Sequence, residues 1–251
     1  MNTSPGFTLR LATEQDIPAL HALIEASVRG LQAADYTQPQ IEGALGTVLG
    51  LDTQLIKDRT YFVAEAVSFT ADTGRIKQEP EEEKAVEEPI SESFVSGHDF
   101  SRANKRPKNA WALAPAKANP ASNPNQAPQA RTWPTLAGCG GWSKRKTLFG
   151  ADRATVREPE LLNPETDAAK VRAIFVHPAF ARQGLGSLIL ATVEKAAHHA
   201  GFRKYEMGST LTGVPLYQLK GYVEVERIAV PLANGEALPV VKMMKECRFG
   251  H

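Results

Sequence analysis

Apolar and polar residues follow regular spacings in two parts of this chain, one near residue 10 and one in the second half. Residues 7–11 alternate between apolar and polar, which predicts a strand, and Thr13 with Asp16 forms a capping-box pattern for a helix. The helix itself is predicted by apolar residues that recur on one face: Ile17, Leu20, Ile24, Val28 and Leu31. A second helix is predicted over residues 39–49, and a second strand over residues 60–66.

The second half of the chain has a strand, a glycine-containing turn and a helix in succession. Residues 171–176 form a mostly apolar run, and Pro178 then prevents further ladder pairing. A helix begins after Gly184, and Gly201 occupies the position of a left-handed C-terminal cap. Its apolar face consists of Leu185, Leu188, Ile189, Thr192, Val193, Ala196 and Ala200. The remaining predicted elements are a strand over residues 204–211, a helical turn at Tyr217, and strands over residues 223–231 and 237–244 that flank Asn234-Gly235.

The turn between residues 181 and 187 has the composition of an anion-binding loop. The first turn of a helix leaves backbone N–H groups without partners and carries partial positive charge. Gly184 and Gly186 lack a Cβ that would keep a ligand away, and nearby side chains supply further donors. A flexible turn without a ligand is the alternative. The spacing fits neither the dinucleotide fingerprint, whose third glycine is replaced by Ile189, nor the P-loop, which needs a lysine before Ser187.

With the sequences ARQGLG at residues 181–186 and YQLKGY at residues 217–222, the chain resembles the GNAT superfamily of acyl-CoA-dependent N-acyltransferases. The resemblance covers most of the chain outside one insertion. It implies an α+β fold with a GNAT-like mixed central β-sheet flanked by helices. Two positions depart from the family pattern: Ala181 stands where Arg or Gln is usual, and Thr210 stands where Asn is frequent.

The resemblance also implies roles for individual residues. The loop would bind the pyrophosphate of coenzyme A, and the strand before it would bind the pantetheine arm through its backbone. Tyr217 would be the general acid for the departing thiolate. The candidate contacts for acetyl-CoA are Ile174, Phe175, Val176, Arg182, Gln183, Gly184, Leu185, Gly186, Ser187 and Thr210.

The general base and the acceptor site are less defined by the sequence. Glu206 is a candidate base on the strand opposite the coenzyme, and Glu65 and His177 are alternatives. His198 and His199 are interpreted as structural, and no metal is expected. The aromatic candidates for binding the acceptor are Tyr36, Trp142 and Phe149, although Trp142 also fits a core position. The long connection over residues 143–170 would narrow a peptide groove, which favours a small-molecule amine.

Residues 68–134 differ in composition from the rest of the chain. They are acidic around residues 79–88, basic around residues 102–108, and rich in Pro, Asn and Ala beyond. Such a segment buries too little apolar area to offset chain entropy, so we predict a disordered insertion in a hairpin formed by the second strand, over residues 60–66, and a third strand over residues 136–142. Residues 1–67 and 135–251 then form one acyltransferase domain. A docking or nuclear-targeting role built on Lys105 and Arg106 is the alternative.

Overall composition limits the partners and the compartment. The 251 residues are 42% hydrophobic with a net charge of +1, which gives no indication of nucleic acid or acidic lipid as a partner. No apolar run is long enough to span a membrane, and no secretory signal is evident, so a cytoplasmic protein is expected. Cys139 and Cys247 are expected to be free thiols. A homodimer is compatible with the sequence.

Three functions remain open at this point. The first is direct transfer of the acetyl group of acetyl-CoA to a small-molecule amine. The second is N-acetylation of a protein or peptide, and the third is a non-catalytic acyl-CoA-binding module.

Overall fold

The structure is a computed structural model and describes residues 6–67, 136–154 and 158–247. Its strands are β1 (Gly6–Leu11), β2 (Tyr61–Val67), β3 (Gly138–Ser143), β4 (Ala168–Val176), β5 (Lys204–Thr210), β6 (Val223–Pro231) and β7 (Ala237–Glu246). Its helices are α1 (Ile17–Leu31), α2 (Gln38–Ala44), α3 (Thr53–Lys57), α4 (Leu185–His199) and α5 (Val214–Leu219). Short 3₁₀ turns precede α1, α4 and α5.

The seven strands form one mixed sheet in the order β1-β2-β3-β4-β5-β7-β6. The β4–β5 pair is parallel, and the other neighbouring pairs are antiparallel. Helix α1 packs on one face of the sheet with Leu20, Ile24 and Val28, and α4 packs on the other with Ile189 and Val193. The predicted α+β fold, a GNAT-like mixed sheet flanked by helices, is thus confirmed.

The helices begin where local capping groups supply hydrogen bonds. The backbone N–H of Thr13 donates to the Asp16 carboxylate (2.7 Å), which confirms the capping box before α1. The Asp52 side chain caps α3 by accepting a hydrogen bond from the Gln54 amide (3.1 Å), and α3 was not predicted. The helix predicted over residues 39–49 is too long. It ends at Ala44, because Gly46 takes a positive φ of 76° and the chain turns back there.

The sheet opens between β4 and β5. The two strands pair over only three positions, from Ala168 with Lys204 to Lys170 with Glu206, and then diverge. A register shift in β4 opposite β3 accompanies this opening, and Ala173 within it has a φ of +53°. The hydroxyl of Tyr61 lies 3.1 Å from the Ala173 carbonyl oxygen and supports the bulge from the face that α1 covers. The divergence leaves a gap at the end of β4 that is nearest to α4.

The hairpin of β2 and β3 carries the long insertion. Ala64 pairs with Gly138, and the amide of Ala137 donates to the Ala64 carbonyl (2.7 Å). The two strands are therefore adjacent although about seventy residues separate them in sequence. The predicted disorder of residues 68–134 falls outside the described residues and stays a prediction. In the part of the chain that is described, no helix has the length and apolar character needed to cross a membrane.

The two cysteines are free thiols, as predicted. Cys139 is buried beside the Tyr61 hydroxyl (3.1 Å), and burial raises the pKa of its thiol to about 12. A thiol with that pKa is uncharged near neutral pH and is poorly nucleophilic. Cys139 therefore belongs to the core under the β4 bulge.

Candidate active site

A small cavity of about 80 Å³ lies at the gap between β4 and β5. Its walls come from both strands, from α5, and from elements on the face of the sheet covered by α1. The described lining residues are Gln32, Val48, Leu49, Gly50, Leu148, Phe149, Gly150, Val171, Arg172, Ala173, Ile174, Phe175, Met207, Gly208, Ser209, Thr210 and Tyr217. Ile174, Phe175, Thr210 and Tyr217, all predicted site residues, are thus brought together.

The backbone of β4 presents donors to this gap. The amide of His177 donates to the Ala137 carbonyl on the β3 side (2.8 Å). Successive amides of a strand point to opposite edges, so the amides of Val176 and Ile174 face the diverging β5. The Val176 side chain packs in the core beneath α4, so Val176 contributes its amide to the gap and not its side chain.

The glycine loop lies at the start of α4. Gly184 is the residue before the helix, with a φ of +82°, and Arg182 also has a positive φ of 64°. A Cβ built on Gly184 would meet no atom within 4 Å, so the space before the helix is open. Within the described chain, the amides from residue 182 to residue 187 have no hydrogen-bond acceptor, and residues 182–184 are exposed. This loop is therefore suited to bind an anion.

Two polar side chains of the loop region have other roles. The side-chain amide of Gln183 donates to the carbonyl of Ala179 (3.1 Å), which holds the preceding 3₁₀ turn. The His177 side chain accepts a hydrogen bond from the Ala179 amide (3.2 Å) and packs near Phe180. Partial burial lowers the pKa of His177. This histidine caps the turn and is not among the described residues that line the cavity.

Tyr217 is buried in the cavity wall, with its ring edge-on to Tyr222 at 5.9 Å between centroids. Gly213 lies against the ring, because a Cβ there would be 2.8 Å from its Cε2. Burial raises the pKa of the Tyr217 phenol to about 12. The hydroxyl is therefore protonated across the physiological pH range, as a general acid must be.

Glu206 and Glu65 lie apart from the cavity. The Glu206 carboxylate is bound by the ammonium groups of Lys170 and Lys242, each at 3.0 Å. Glu65 bonds to Arg10 (2.8 Å) at the far side of the sheet on β2. Neither residue is part of the described cavity wall, which contains no carboxylate and no imidazole.

The three aromatic candidates for the acceptor site separate in the fold. Phe149 lines the cavity and contacts β5 closely, because a Cβ on Gly208 would lie 3.0 Å from its Cδ1. Tyr36 is buried, and its hydroxyl donates to the Pro239 carbonyl and accepts from the Leu211 amide, both at 2.8 Å. Trp142 is buried in the core under α4, edge-on to Phe202. The structure thus brings only Phe149 of the three to the cavity.

Arg172 and Gln32 are among the cavity residues that sequence reasoning missed. Arg172 forms an ion pair with Asp52 at 2.7 Å, and both side chains are about 95% buried. The guanidinium also donates to the carbonyl of Gly150, which holds that loop on the cavity. A lone arginine in an apolar strand was a usable signal for a buried ion pair. Gln32, just after α1, had no such signal.

The part of the chain that contains this site is similar to a known protein family. A family model described as an acetyltransferase (GNAT) domain matches residues 161–247. The matched range includes β4, the glycine loop, α4 and Tyr217. The match covers fewer than half of the residues of the chain, and over that range the sequence is similar to GNAT acetyltransferase domains.

Solved structures resemble the chain at low sequence identity. A protein described as a GCN5-related N-acetyltransferase, aminotransferase class II, from Rhodopseudomonas palustris is 15% identical with a TM-score of 0.51. That alignment covers 97% of this chain and 96% of the other, and it concerns the fold alone. The PaiA N-acetyltransferase from Thermoplasma acidophilum, in complex with coenzyme A, is 10% identical with a TM-score of 0.47 over 96% and 99% of the two chains. A search of curated protein sequences found no match.

No cluster that could hold a metal ion was found when the described residues were searched for three or more His, Cys, Asp or Glu side chains. His198 and His199 lie in the last turn of α4 with their rings 6.4 Å apart.

Proposed function

We propose that the protein transfers the acetyl group of acetyl-CoA directly to the amine of a small molecule. The observation that carries this proposal is the gap between β4 and β5, with the glycine loop at the start of α4 and Tyr217 in the cavity wall. The small size of the cavity and its cover by residues 148–150 support a small acceptor over a folded protein. A cytoplasmic location is also inferred, from the sequence alone.

Different backbone groups would bind different parts of acetyl-CoA. Unpartnered amides at residues 182–187 would hold the pyrophosphate, with the positive end of α4 adding electrostatic attraction. The amides of Ile174 and Val176 would bind the pantetheine arm along the gap. One of them would also donate to the thioester carbonyl oxygen and stabilise the negative charge that develops on it. Thr210 lies on the opposite side of the same gap.

Proton transfer would involve Tyr217. As the amine nitrogen bonds to the carbonyl carbon and the carbon–sulfur bond breaks, the sulfur takes the proton of the Tyr217 hydroxyl. The proton that the nitrogen loses then returns to the phenolate, so the products are an amide and a free thiol. Glu206 is left out of this scheme, because two lysines bind its carboxylate away from the cavity wall.

Coenzyme binding is tested with Gly184→Ala, and Gly235→Ala is a matched control. Both glycines have nearly equal positive φ values, 82° and 85°, and a Cβ on either meets no atom within 4 Å. Each substitution should lower stability by about 1–2 kcal/mol through backbone strain. Only Gly184→Ala should also weaken acetyl-CoA binding measured by calorimetry. Equal acetyl-CoA affinity in both variants would remove the loop from the site.

The role of Tyr217 is tested with Tyr217→Phe. We expect turnover to fall about 10²–10⁴-fold, the range for loss of a general acid, while acetyl-CoA affinity stays the same. Tyr222→Phe is the control, because Tyr222 packs edge-on against Tyr217 but is not in the described cavity wall. Unchanged turnover in Tyr217→Phe would exclude the phenol from the reaction.

The three functions are separated by release of free thiol from acetyl-CoA across a panel of amines and a mixture of peptides. Thiol release with amines supports the proposal. Release with peptides only would support protein acetylation. Acetyl-CoA binding without thiol release from any acceptor would indicate a non-catalytic module.

A further inference from the structure

Gln32 lines the cavity and has a buried side-chain oxygen without a described hydrogen-bond partner. The residue follows α1, and 6% of its surface is exposed. Its backbone is fully used: its amide donates to Val28 (3.2 Å), and its carbonyl accepts from Asp35 and Tyr36 (3.0 and 3.1 Å). Its side-chain oxygen Oε1 is buried and has no hydrogen-bond partner among the described residues. Since buried polar atoms are nearly always paired, this oxygen has the character of a ligand-binding group.

Two other polar side chains of the cavity are already engaged. The Arg172 guanidinium is held by Asp52 and by the Gly150 carbonyl. The Ser209 hydroxyl donates to the carbonyl of Thr210 (2.8 Å). Because the described wall contains no carboxylate and the Asp52 carboxylate is already paired with Arg172, an ammonium ion entering the cavity would lose its hydration without gaining a counter-ion there. A neutral amine avoids this cost, and its N–H can donate to Gln32 Oε1.

An apolar groove lies next to the cavity. It shares the wall residues Val48, Leu148, Phe149 and Gly150 with the cavity, and it extends along the end of β6 over Ile228 and Val230. The groove is far larger than the cavity, about 690 Å³ against about 80 Å³. An amine with its nitrogen in the cavity would therefore extend its remaining atoms into the groove.

We propose that the acceptor is an amine with an apolar substituent, whose N–H donates to Gln32 Oε1 and whose substituent lies in the groove along Phe149 and Ile228. This inference rests on the proposed function and names the acceptor class for the same site. Gln32 contacts the substrate in this arrangement, and the groove selects by apolar area.

The experiment compares linear primary alkylamines of increasing length with acetyl-CoA and the full chain. Each added methylene should raise kcat/KM about fourfold until the groove is filled. Binding of the same amines to the protein saturated with coenzyme A, measured by calorimetry, should follow the same order and does not depend on turnover. Polar diamines of equal length should bind more weakly.

Variants test separately the hydrogen bond to Gln32 and the apolar contact in the groove. Gln32→Met has a similar volume and no comparable acceptor, and it should lower kcat/KM at least tenfold for every amine while the length dependence persists. Gln32→Glu, which keeps an acceptor oxygen, should lose far less. Ile228→Asp, at a half-buried groove position, should abolish the length dependence. Acetyl-CoA affinity and circular dichroism check that each variant is folded.

The failures of the two proposals are distinguishable. If amines release thiol but short or polar amines are preferred, or if Gln32→Met behaves like the wild type, the acceptor inference is wrong and the proposed function stands. If acetyl-CoA binds and no amine releases thiol, both are wrong.

Discussion

Replacing Asp52 by Asn would leave the buried guanidinium of Arg172 without its carboxylate. Asp52 has two roles: one oxygen accepts the Gln54 amide at the start of α3, and the other pairs with Arg172 at 2.7 Å. Asn caps a helix as well as Asp, so the substitution preserves the cap and removes the charge. The Asn side-chain NH₂ would then face the guanidinium, and two donors would oppose each other.

The expected cost follows from the burial of the pair. Both side chains are about 95% buried, so solvent cannot replace the lost carboxylate. Breaking a buried ion pair by removing one partner costs about 3–5 kcal/mol. Asp52→Asn should therefore lower the free energy of unfolding by that amount in urea titrations of the full chain, followed by far-UV circular dichroism. It should also raise KM for the amine, because Arg172 holds the Gly150 carbonyl at the cavity.

The double variant Asp52→Asn with Arg172→Met provides the decisive comparison. Arg172→Met alone leaves the Asp52 carboxylate buried without a cation, whereas the double variant removes both charges. We expect the double variant to be more stable than either single variant, with a coupling of roughly 2–3 kcal/mol. Additive losses, or a loss below about 1 kcal/mol for Asp52→Asn alone, would refute the assignment of the pair as a buried structural link.

Further predictions concern a buried tyrosine, acid stability and the pH profile. Tyr36→Phe should cost about 2 kcal/mol in urea unfolding, because it removes the two hydrogen bonds of the buried hydroxyl, to the Pro239 carbonyl and from the Leu211 amide, at about 1 kcal/mol each; a rise in KM for the amine at unchanged stability would instead support the acceptor contact predicted from the sequence. The hydrogen-bonded Arg10 guanidinium holds the pKa of Asp16 at about 2, below its usual 3.8. The stability from this pair should be present above the usual pKa and be lost as pH falls from about 4 towards 2, and Arg10→Met should abolish that dependence in acid unfolding. Because the pKa of Tyr217 is raised to about 12, deprotonation of this phenol should not lower kcat at any pH below about 11, which a pH–rate profile checks.

The parts of the site that sequence reasoning predicted are those with short-range signals. The glycine loop, α4 and Gly201 lie within one continuous segment, where helical spacing and a positive φ of 98° at the cap follow from local physics. The end of α2 was missed because the apolar residues from 45 to 49 continue the pattern, while Gly46 reverses the chain.

Contacts between distant residues could not be predicted from a single sequence. Asp52 and Arg172 are 120 positions apart, and their pairing depends on how α3 docks on β4. Composition alone also cannot decide whether an aromatic side chain lies in the core or in a binding site. Tyr36 and Trp142 were therefore reasonable candidates for the acceptor site, but the fold places both in the hydrophobic core. Gln32 could not be selected from the sequence, because only the folded molecule shows that its side-chain oxygen has no described hydrogen-bond partner.

The short pairing of β4 with β5 affects how the two halves of the sheet hold together. Three paired positions join the block of β1 to β4 to the block of β5 to β7, and beyond them the strand edges are separate. A molecule bound along that opening contacts both blocks, so its binding free energy also adds to their cohesion. Amide hydrogen exchange at the free edges should then slow in proportion to ligand occupancy, and the saturated protein should resist mechanical separation of its halves better than the free one.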